Sequence, residues 1–350
     1  MHAVLLSRSP WSLRVADDWP EPRVGPGEVT VRVRGVGICG SDLALLAGHR
    51  APPSVPWVPG HETLGEIVGT GDGVDPGRVG QRVVVEPNIP CLACPACRSG
   101  ATSACPERIS LGFSAPGTLA EKITVPAAFA WTVPDHLGDA DAVCAEPLSV
   151  ALSAIRRAGV GPGHRCLVVG MGSQGAMFCL ALAARGITPH VLEPHPGRRC
   201  LAAELGALPI AGGAGGPAAG PPDAGDFDVV FETSGAPPAL ADAVSRTATG
   251  GTVILIGQNG RPSPLVTRLV VQRQLTLQGS LIYDHPRDFA DTLQLISSGV
   301  SPGRVLRACY PLADAAAAFR AARDVPGKTW IRIGTLRIRR ALPRISETRC

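Results

Sequence analysis

The sequence predicts two kinds of structure in one chain, a β-rich first part and an α/β second part built on a parallel sheet. Short runs before residue 130 place apolar residues at every second position, and strand-like and helix-like segments alternate after residue 147. A chain of 350 residues also exceeds the size of one ordinary domain. The predicted fold class is therefore α/β plus β, in at least two domains.

The β-rich part follows from a period of two. Val29, Val31 and Val33 alternate with polar or charged residues, which gives a sheet one buried and one exposed face. Further strand-like runs occupy residues 65–68, 81–85 and 121–125, with Gly- and Pro-rich turns between them. No long helical period occurs in residues 1–130.

The α/β part alternates strands and helices from residue 147 onward. Helices are predicted at 147–158, 173–185, 197–205 and 237–247, and strands at 165–170, 187–193, 227–233, 252–257 and 275–279. Such alternation with apolar strands indicates a parallel sheet covered on both faces. Residues 211–225 are almost only Gly, Ala, Pro and Asp, which predicts a flexible surface loop. Two helices, 287–297 and 313–322, and a strand at 329–333 follow.

A glycine-rich turn points to a dinucleotide. Gly170, Gly172 and Gly175 follow a predicted strand and open a helix, and Glu193 ends the next strand about twenty residues on. In this setting the glycines let the backbone approach a pyrophosphate at a helix N-terminus. Glu193 would accept hydrogen bonds from ribose hydroxyls and repel a 2′-phosphate, which favours NAD over NADP. The basic residues of the stretch 195–199 would soften that preference, and a chance match is the alternative.

Four cysteines in a C-x2-C-x2-C-x7-C array form the second motif: Cys91, Cys94, Cys97 and Cys105. Four thiolates at this spacing bind one zinc ion in a closed shell, which is the mark of a structural site. An iron–sulfur cluster and a lobe without metal are the alternatives. The total of eleven cysteines is odd, which in a large chain favours metal ligation over disulfides.

Charge and hydropathy exclude several function classes. The net charge of +4 lies in residues 331–350, which hold six arginines and one glutamate, so no basic groove for nucleic acid is expected. This end is predicted to be a solvated basic tail. The long uncharged run 166–184 contains the glycine turn and therefore indicates a strand, a turn and a helix, not a membrane span. With no hydrophobic leader at residues 1–15, we expect a cytoplasmic protein.

A third group of metal-ligand residues is dispersed along the chain. Cys39, His61, Glu62 and Glu146 are each compatible with an ordinary structural role, a core cysteine or a turn. If they met in space, thiolate, imidazole and carboxylate would form a three-ligand zinc site with an open fourth position. Spacing alone does not establish that they meet.

Together these motifs resemble the zinc-containing medium-chain dehydrogenases, in particular their polyol (sorbitol-type) and threonine dehydrogenase branch. The resemblance covers about residues 1–334. It rests on Gly37–Asp42, Pro59–Glu62, the four-cysteine array, Glu146–Leu148 and the glycine turn. It implies a GroES-like catalytic domain at 1–147 with a zinc lobe at about 86–108, a Rossmann NAD-binding domain at 148–283, a return to the catalytic domain at 284–334, and the tail 335–350.

The resemblance also implies roles for single residues. Cys39, His61 and Glu146 match the catalytic-zinc ligands, and Glu62 matches a carboxylate that enters or leaves the metal shell. Ser41 matches a hydroxyl that starts a proton path. Many relatives continue this path with a histidine where this chain has Ala44, so water, the coenzyme ribose or His49 would take over. Cys144, two residues from Glu146, is expected to be a core residue. The substrate pocket is expected near Ser41, His49, Trp57, Phe113 and Ile282.

The function expected from this resemblance is hydride transfer between a polyol, cyclitol or other secondary alcohol and NAD, with a zinc-bound alkoxide as the reacting species. Two zinc ions per chain, one catalytic and one structural, and NAD are the expected cofactors. An aldehyde reductase or dismutase on the same scaffold, or a non-catalytic NAD-binding relative, are the alternatives. A small-molecule alcohol or ketone, and a second copy of the chain in a homodimer or homotetramer, are the expected partners.

Overall fold

The computed structural model describes residues 1–8, 11–210 and 227–334. The chain divides into two compact units, one formed by residues 1–146 and the chain from residue 285 on, the other by residues 147–284. The predicted loop at 211–225 and the predicted tail at 335–350 lie outside the described residues.

Strands and helices follow one another along three stretches of the chain. The first stretch contains β1 (Ala3–Arg8), β2 (Trp11–Ala16), β3 (Glu28–Gly37), α1 (Gly40–Leu46), β4 (Glu62–Thr70), β5 (Arg82–Val85), β6 (Asn88–Ile89), α2 (Pro95–Arg98), β7 (Ile109–Ser110), β8 (Lys122–Pro126), β9 (Ala130–Thr132), α3 (Asp139–Ala142) and α4 (Ala145–Arg157). The second contains β10 (Cys166–Val169), α5 (Ser173–Ala183), β11 (His190–Leu192), α6 (Pro196–Glu204), β12 (Leu208–Pro209), β13 (Phe227–Glu232), α7 (Ala239–Arg246), β14 (Thr247–Leu255), α8 (Thr267–Gln272) and β15 (Thr276–Gly279). The third contains α9 (Arg287–Ser297), β16 (Leu306–Pro311), α10 (Ala315–Ala321) and β17 (Lys328–Arg332).

The first unit is built on a sheet in the order β16-β17-β3-β4-β5-β9, with β8 also paired to β3. Strand β3 carries the alternation expected of it, since Val29, Val31 and Val33 are at most 1% exposed while their polar neighbours are more accessible. Ile67, Val83 and other apolar residues of neighbouring strands share this core. Burial of this one face stabilises the sheet.

The second unit is built on a parallel sheet in the order β12-β11-β10-β13-β14-β15. This strand order is that of doubly wound dinucleotide-binding domains, in which the order reverses next to the first strand. Leu167, Val230 and Val253 from adjacent strands form its core with residues of α7. The predicted fold class is confirmed in both units.

The structure also contains elements that the sequence did not predict. Helix α1 directly follows Cys39, β16 forms an edge of the first sheet, and α8 precedes β15. Helix α4 starts at Ala145, two residues before the predicted start at Pro147, and so contains Glu146 in its first turn. Among the described residues, no helix has both the length and the apolar composition needed to cross a membrane.

Candidate active site

Sheet register explains how the dispersed metal-ligand residues meet. Strand β3 ends at Gly37, and β4 begins at Glu62; the two strands are antiparallel, with Gly37 directly opposite Glu62. Cys39 lies two residues beyond the end of β3, and His61 directly precedes β4. Pairing at this end of the sheet therefore brings the thiol, the imidazole and the carboxylate to one place.

The ligand atoms of Cys39, His61 and Glu62 all lie within 4.8 Å of one another. His61 and Glu62 are buried, and Cys39 is half-buried. Zinc binds thiolate, imidazole and carboxylate groups at about 2.0–2.3 Å, so one ion contacting all three needs ligand atoms this close. The group therefore fits zinc.

A buried carboxylate holds this group in position. Asp42 Oδ2 accepts the N–H of Cys39 at 3.0 Å, and its Oδ1 accepts the N–H of Gly60 at 3.0 Å and lies 3.5 Å from His61 Nδ1. Burial acts to raise the pKa of the Asp42 carboxyl, but the charge of His61 and these hydrogen bonds outweigh burial and lower it. A carboxylate at one ring nitrogen of histidine leaves the other nitrogen free to bind a metal.

A second buried charge compensates Glu62. Lys328, fully buried, donates from Nζ to Glu62 Oε1 at 2.6 Å and to the carbonyl of Ile38 at 3.2 Å, and lies 2.5 Å from Glu62 Oε2. A Cβ atom at Gly37 would collide with the Glu62 carboxylate and with Lys328, so this position requires glycine. Burial acts to lower the pKa of Lys328, but the charge of Glu62 dominates and raises it.

The structure brings together two of the three predicted ligands, Cys39 and His61, with Glu62 as the third member of the group. Glu146 lies 6% exposed in the first turn of α4 and, among the described residues, is not part of that group of mutually close ligand atoms. Ser41 is half-buried in the first turn of α1, two residues after Cys39. Cys144 is fully buried in the core, and its burial raises the pKa of its thiol.

The four-cysteine array forms a second candidate metal centre. The sulfur atoms of Cys91, Cys94, Cys97 and Cys105 all lie within 4.8 Å of one another. Cys91 Sγ and Cys97 Sγ are 4.0 Å apart, and four sulfurs bound tetrahedrally at about 2.3 Å from one zinc would be about 3.8 Å apart. Backbone N–H groups of Cys91 and Cys97 point at the sulfurs of Cys105 and Cys94 at 3.4 Å and 3.5 Å, which stabilises thiolates. The lobe therefore fits a closed, structural zinc site.

The glycine turn has the geometry of a dinucleotide cradle. Gly170 has a φ of +92°, a conformation that favours glycine. A Cβ at Gly175 would collide with the carbonyl of Gly170, so the helix can pack on the strand only with glycine there. A Cβ at Gly172 would meet nothing within 4 Å, so this face of the turn is open where α5 begins. The turn therefore fits a pyrophosphate group.

Glu193 is tied to the backbone on both oxygens. Its Oε2 accepts the N–H of Met171 at 2.7 Å, and its Oε1 accepts the N–H of His195 at 2.8 Å, with the residue 3% exposed. Each carboxylate oxygen has a further lone pair that is able to accept a ribose hydroxyl. Glu193 thus fixes the glycine turn in addition to the role predicted for it.

Sequence reasoning missed the residues that hold the other side of the turn. Thr233 Oγ1 lies 2.9 Å from the carbonyl oxygen of Gly170 and 3.1 Å from that of Val169, so its hydroxyl proton holds the end of β10. Glu232 Oε1, at the end of β13, accepts hydrogen bonds from the N–H groups of Ser234 and Gly235 at 2.8 Å and 2.9 Å. A polar run directly after a buried strand was the signal in the sequence.

Of the residues expected near the substrate, Phe113 lies against the candidate zinc site. Its ring centre is 5.1 Å from that of His61, with a tilt of 53° between the planes. Trp57 is buried and donates from Nε1 to the carbonyl of Gly112 at 2.9 Å, which fixes the residue before Phe113. This geometry gives the His61 side of the site an aromatic wall.

Two family models match the chain. Residues 25–135 match the alcohol dehydrogenase GroES-like domain, and residues 170–298 match the zinc-binding dehydrogenase model. The first match covers Cys39, His61, Glu62 and the four-cysteine lobe, and the second covers the glycine turn.

Curated relatives and solved structures agree with these models. The chain is 31% identical over 318 residues to L-galactonate-5-dehydrogenase of Escherichia coli (strain K12), covering 87% of this chain and 90% of the relative. It is 32% identical over 292 residues to sorbitol dehydrogenase of Bacillus subtilis (strain 168), covering 80% and 82%. An alcohol dehydrogenase structure from E. coli CFT073, complexed with NADH, matches with a TM-score of 0.84 and 25% identity, covering 95% of this chain and 99% of that one.

These matches confirm the resemblance on which the expected oxidoreductase activity was based. The match to E. coli L-galactonate-5-dehydrogenase covers 87% of this chain and that to the NADH complex covers 95%, so the likeness extends to both units. The chain belongs to the zinc-containing medium-chain dehydrogenase family, in its polyol dehydrogenase branch, and is an oxidoreductase.

Proposed function

We propose that this chain transfers a hydride between a polyol, cyclitol or other secondary alcohol and NAD at a zinc site that contains Cys39 and His61. The observation that carries this proposal is the convergence of thiolate, imidazole and carboxylate within 4.8 Å, in a chain whose other unit presents an open glycine turn. Relatives named for a neutral polyol and for a sugar acid support the alcohol class.

We assign Cys39, His61 and Glu146 as the ligands of the catalytic zinc, and Glu62 as the neighbouring carboxylate. Both oxygens of Glu62 lie beside the ammonium of Lys328, which already compensates its charge. This pairing supports a role in which Glu62 binds the zinc only temporarily. The third permanent zinc ligand is then another carboxylate. Glu146, in the first turn of α4, is the carboxylate that the family pattern supplies.

Zinc supplies Lewis acidity, which makes an alcohol hydroxyl acidic enough to lose its proton near neutral pH, and NAD supplies the hydride acceptor. The chain's own residues orient these groups. Asp42 holds the imidazole of His61, and the half-buried hydroxyl of Ser41 accepts the substrate proton at Oγ while releasing its own towards solvent. The half-buried ring of Phe113 covers the His61 side of the site.

The coenzyme is assigned to the glycine turn, with NAD preferred over NADP. Gly172 leaves room for the pyrophosphate, and the N-terminus of α5 offers N–H groups to it. The buried carboxylate of Glu193 lies where a 2′-phosphate would bring like charge. A cytoplasmic location and assembly as a homodimer or homotetramer stay predictions, to be tested by fractionation and light scattering.

Cys39→Ala tests the assignment. We expect two zinc ions per wild-type chain, one for each group of ligands, and one in the variant. NAD reduction with a panel of polyols, cyclitols and secondary alcohols should fall at least about 1,000-fold, since one of the metal's ligands is lost. Metal analysis and NADH absorbance measure both effects.

Cys309→Ala is the matched control, because Cys309 is a half-buried cysteine of the same unit outside both groups. It should keep both zinc ions and its activity. An unchanged zinc content and unchanged turnover in Cys39→Ala would refute the assignment. Turnover of aldehydes only would instead identify a reductase or dismutase on the same scaffold.

A further inference from the structure

The aromatic ring beside His61 also has an arginine against one of its faces. The guanidinium carbon of Arg50 is 4.4 Å from the ring centre of Phe113, a cation–π distance. The same ring lies 5.1 Å from the ring centre of His61. One aromatic ring therefore connects an exposed positive charge to the candidate zinc site, all within the first unit.

A second arginine belongs to the same surface. Arg108 donates from Nε to Ser110 Oγ at 3.3 Å and from Nη1 to the carbonyl of Ser103, while the N–H of Phe113 donates to the carbonyl of Ser110 at 3.1 Å. Arg108 is thus fixed to the turn that carries Phe113. Partial covering of the guanidinium, and after it the charge of Arg108, lowers the pKa of Arg50, so the two positive charges act on each other.

No acidic side chain forms an ion pair with Arg50 or Arg108 in the part of the chain that the structure describes. Other arginines of this unit are compensated: Arg32 pairs with Glu66 at 2.8 Å, and Arg82 pairs with Asp139 at 3.0 Å. Two neighbouring cations without an acidic partner repel each other, and a bound anion would offset this repulsion. The local charge is therefore suited to a negatively charged group.

We propose that the substrate is a polyol with an anionic group, a carboxylate or a phosphate, which Arg50 and Arg108 bind while the carbinol carbon reacts beside His61. This inference rests on the proposed function and narrows its substrate class. Both anions share the chemistry that a guanidinium recognises, two oxygens facing two N–H donors.

The length of a sugar chain fits this arrangement. Carbon–carbon bonds are about 1.5 Å long, so a zigzag chain of five or six carbon atoms is about 5–6 Å long. This length is similar to the 5.1 Å between the ring centres of Phe113 and His61. The charged group would then lie at one end of the chain and the reacting carbinol near the other. A small secondary alcohol without charge would leave both arginines without an anionic partner.

The test compares three substrates with the same carbon chain: sorbitol, gluconate and sorbitol 6-phosphate. We expect kcat/KM for at least one anionic member to exceed that for sorbitol by about 10-fold or more. Arg50→Gln should lower kcat/KM for the anionic substrate about 10- to 100-fold, mainly through KM, and change the value for sorbitol less than about threefold. Arg50→Lys should restore part of the loss because the charge is kept.

Salt provides an independent readout. KM for the anionic substrate should rise between low and physiological ionic strength, while KM for sorbitol should not. Arg320→Gln, an exposed arginine of α10, is the control and should leave every value unchanged. The substrate with the higher kcat/KM, gluconate or sorbitol 6-phosphate, shows whether a carboxylate or a phosphate is the recognised group.

The outcomes separate this inference from the proposed function. Preference for sorbitol, or an equal loss with charged and neutral substrates in Arg50→Gln, would overturn the anionic class and assign Arg50 a packing role on Phe113. Turnover of none of these substrates, nor of any other polyol, cyclitol or secondary alcohol, would overturn the proposed function itself.

Discussion

At the scale of single residues, the candidate zinc site depends on a buried charge pair. Glu62 and Lys328 are both fully buried, and neither charge has water to solvate it. Removing one member of such a pair leaves an unpaired charge in the interior, which costs far more than the pair itself contributes. Lys328 therefore positions Glu62 through its charge and its hydrogen bond.

Lys328→Met should lower the free energy of unfolding by about 3–5 kcal/mol, because Glu62 then lies buried without a counter-charge. Urea unfolding followed by fluorescence measures this effect in protein without the catalytic zinc ion, because a zinc ion beside Glu62 would itself compensate the carboxylate. Lys328→Arg keeps the positive charge, so its free energy of unfolding should fall less than that of Lys328→Met. The double variant Glu62→Gln, Lys328→Met should recover most of the loss, and a double variant less stable than Lys328→Met would contradict the charge argument.

The sequence predicted which ligand residues meet in space where they are separated by only a few residues along the chain. The four cysteines between residues 91 and 105 are close in the structure because few residues separate them. Cys39, His61 and Lys328 meet only through the pairing of β3 with β4 and β17. Resemblance of motifs predicted Cys39 and His61, but no pattern predicted Lys328. Local sequence does not determine which strands pair when they are far apart along the chain.

At the scale of elements, the glycine turn is held from both neighbouring strands. Strands β11 and β13 flank β10 in the sheet. Glu193 after β11 binds the N–H of Met171, and Thr233 after β13 binds the carbonyl of Gly170. The turn is thus fixed before the coenzyme arrives, which reduces the ordering cost of binding.

Thr233→Val should weaken NADH binding about 5- to 10-fold, because the hydroxyl that holds the Gly170 carbonyl is lost while the side-chain volume is kept. NADH fluorescence titration measures the dissociation constant. In steady-state kinetics, KM for NAD should rise more than kcat falls. Thr233→Ser keeps the hydroxyl and serves as the control; equal weakening in both variants would show that packing, not the hydrogen bond, matters.

Elements with strong local periodicity were predictable, and elements defined by their neighbours were not. Strand β10 of the second unit is a continuous apolar run, Cys166–Val169, and α9 was predicted with its observed bounds. Helix α1 is only seven residues long, and β16 consists of partly exposed residues that pair with β17. Such elements form through tertiary contacts, which override weak local preferences.

At the scale of the whole molecule, the two units supply different parts of the reaction. The candidate metal centres belong to the first unit, and the glycine turn with Glu193 and Thr233 belongs to the second. Activity as proposed requires both sets of residues. In the proposed reaction, a hydride leaves the carbinol carbon of an alcohol and is transferred to NAD.

Isotope transfer tests this claim most directly. An alcohol that the protein oxidises is labelled with deuterium on its carbinol carbon and incubated with the zinc-loaded protein and NAD. The NADH formed is then analysed by mass spectrometry. Direct transfer predicts one deuterium in each NADH, since the carbon–deuterium bond breaks with its electron pair moving to the nicotinamide, and none from unlabelled alcohol in deuterated water. Unlabelled NADH from the deuterated alcohol, with the label released to solvent, would contradict direct hydride transfer.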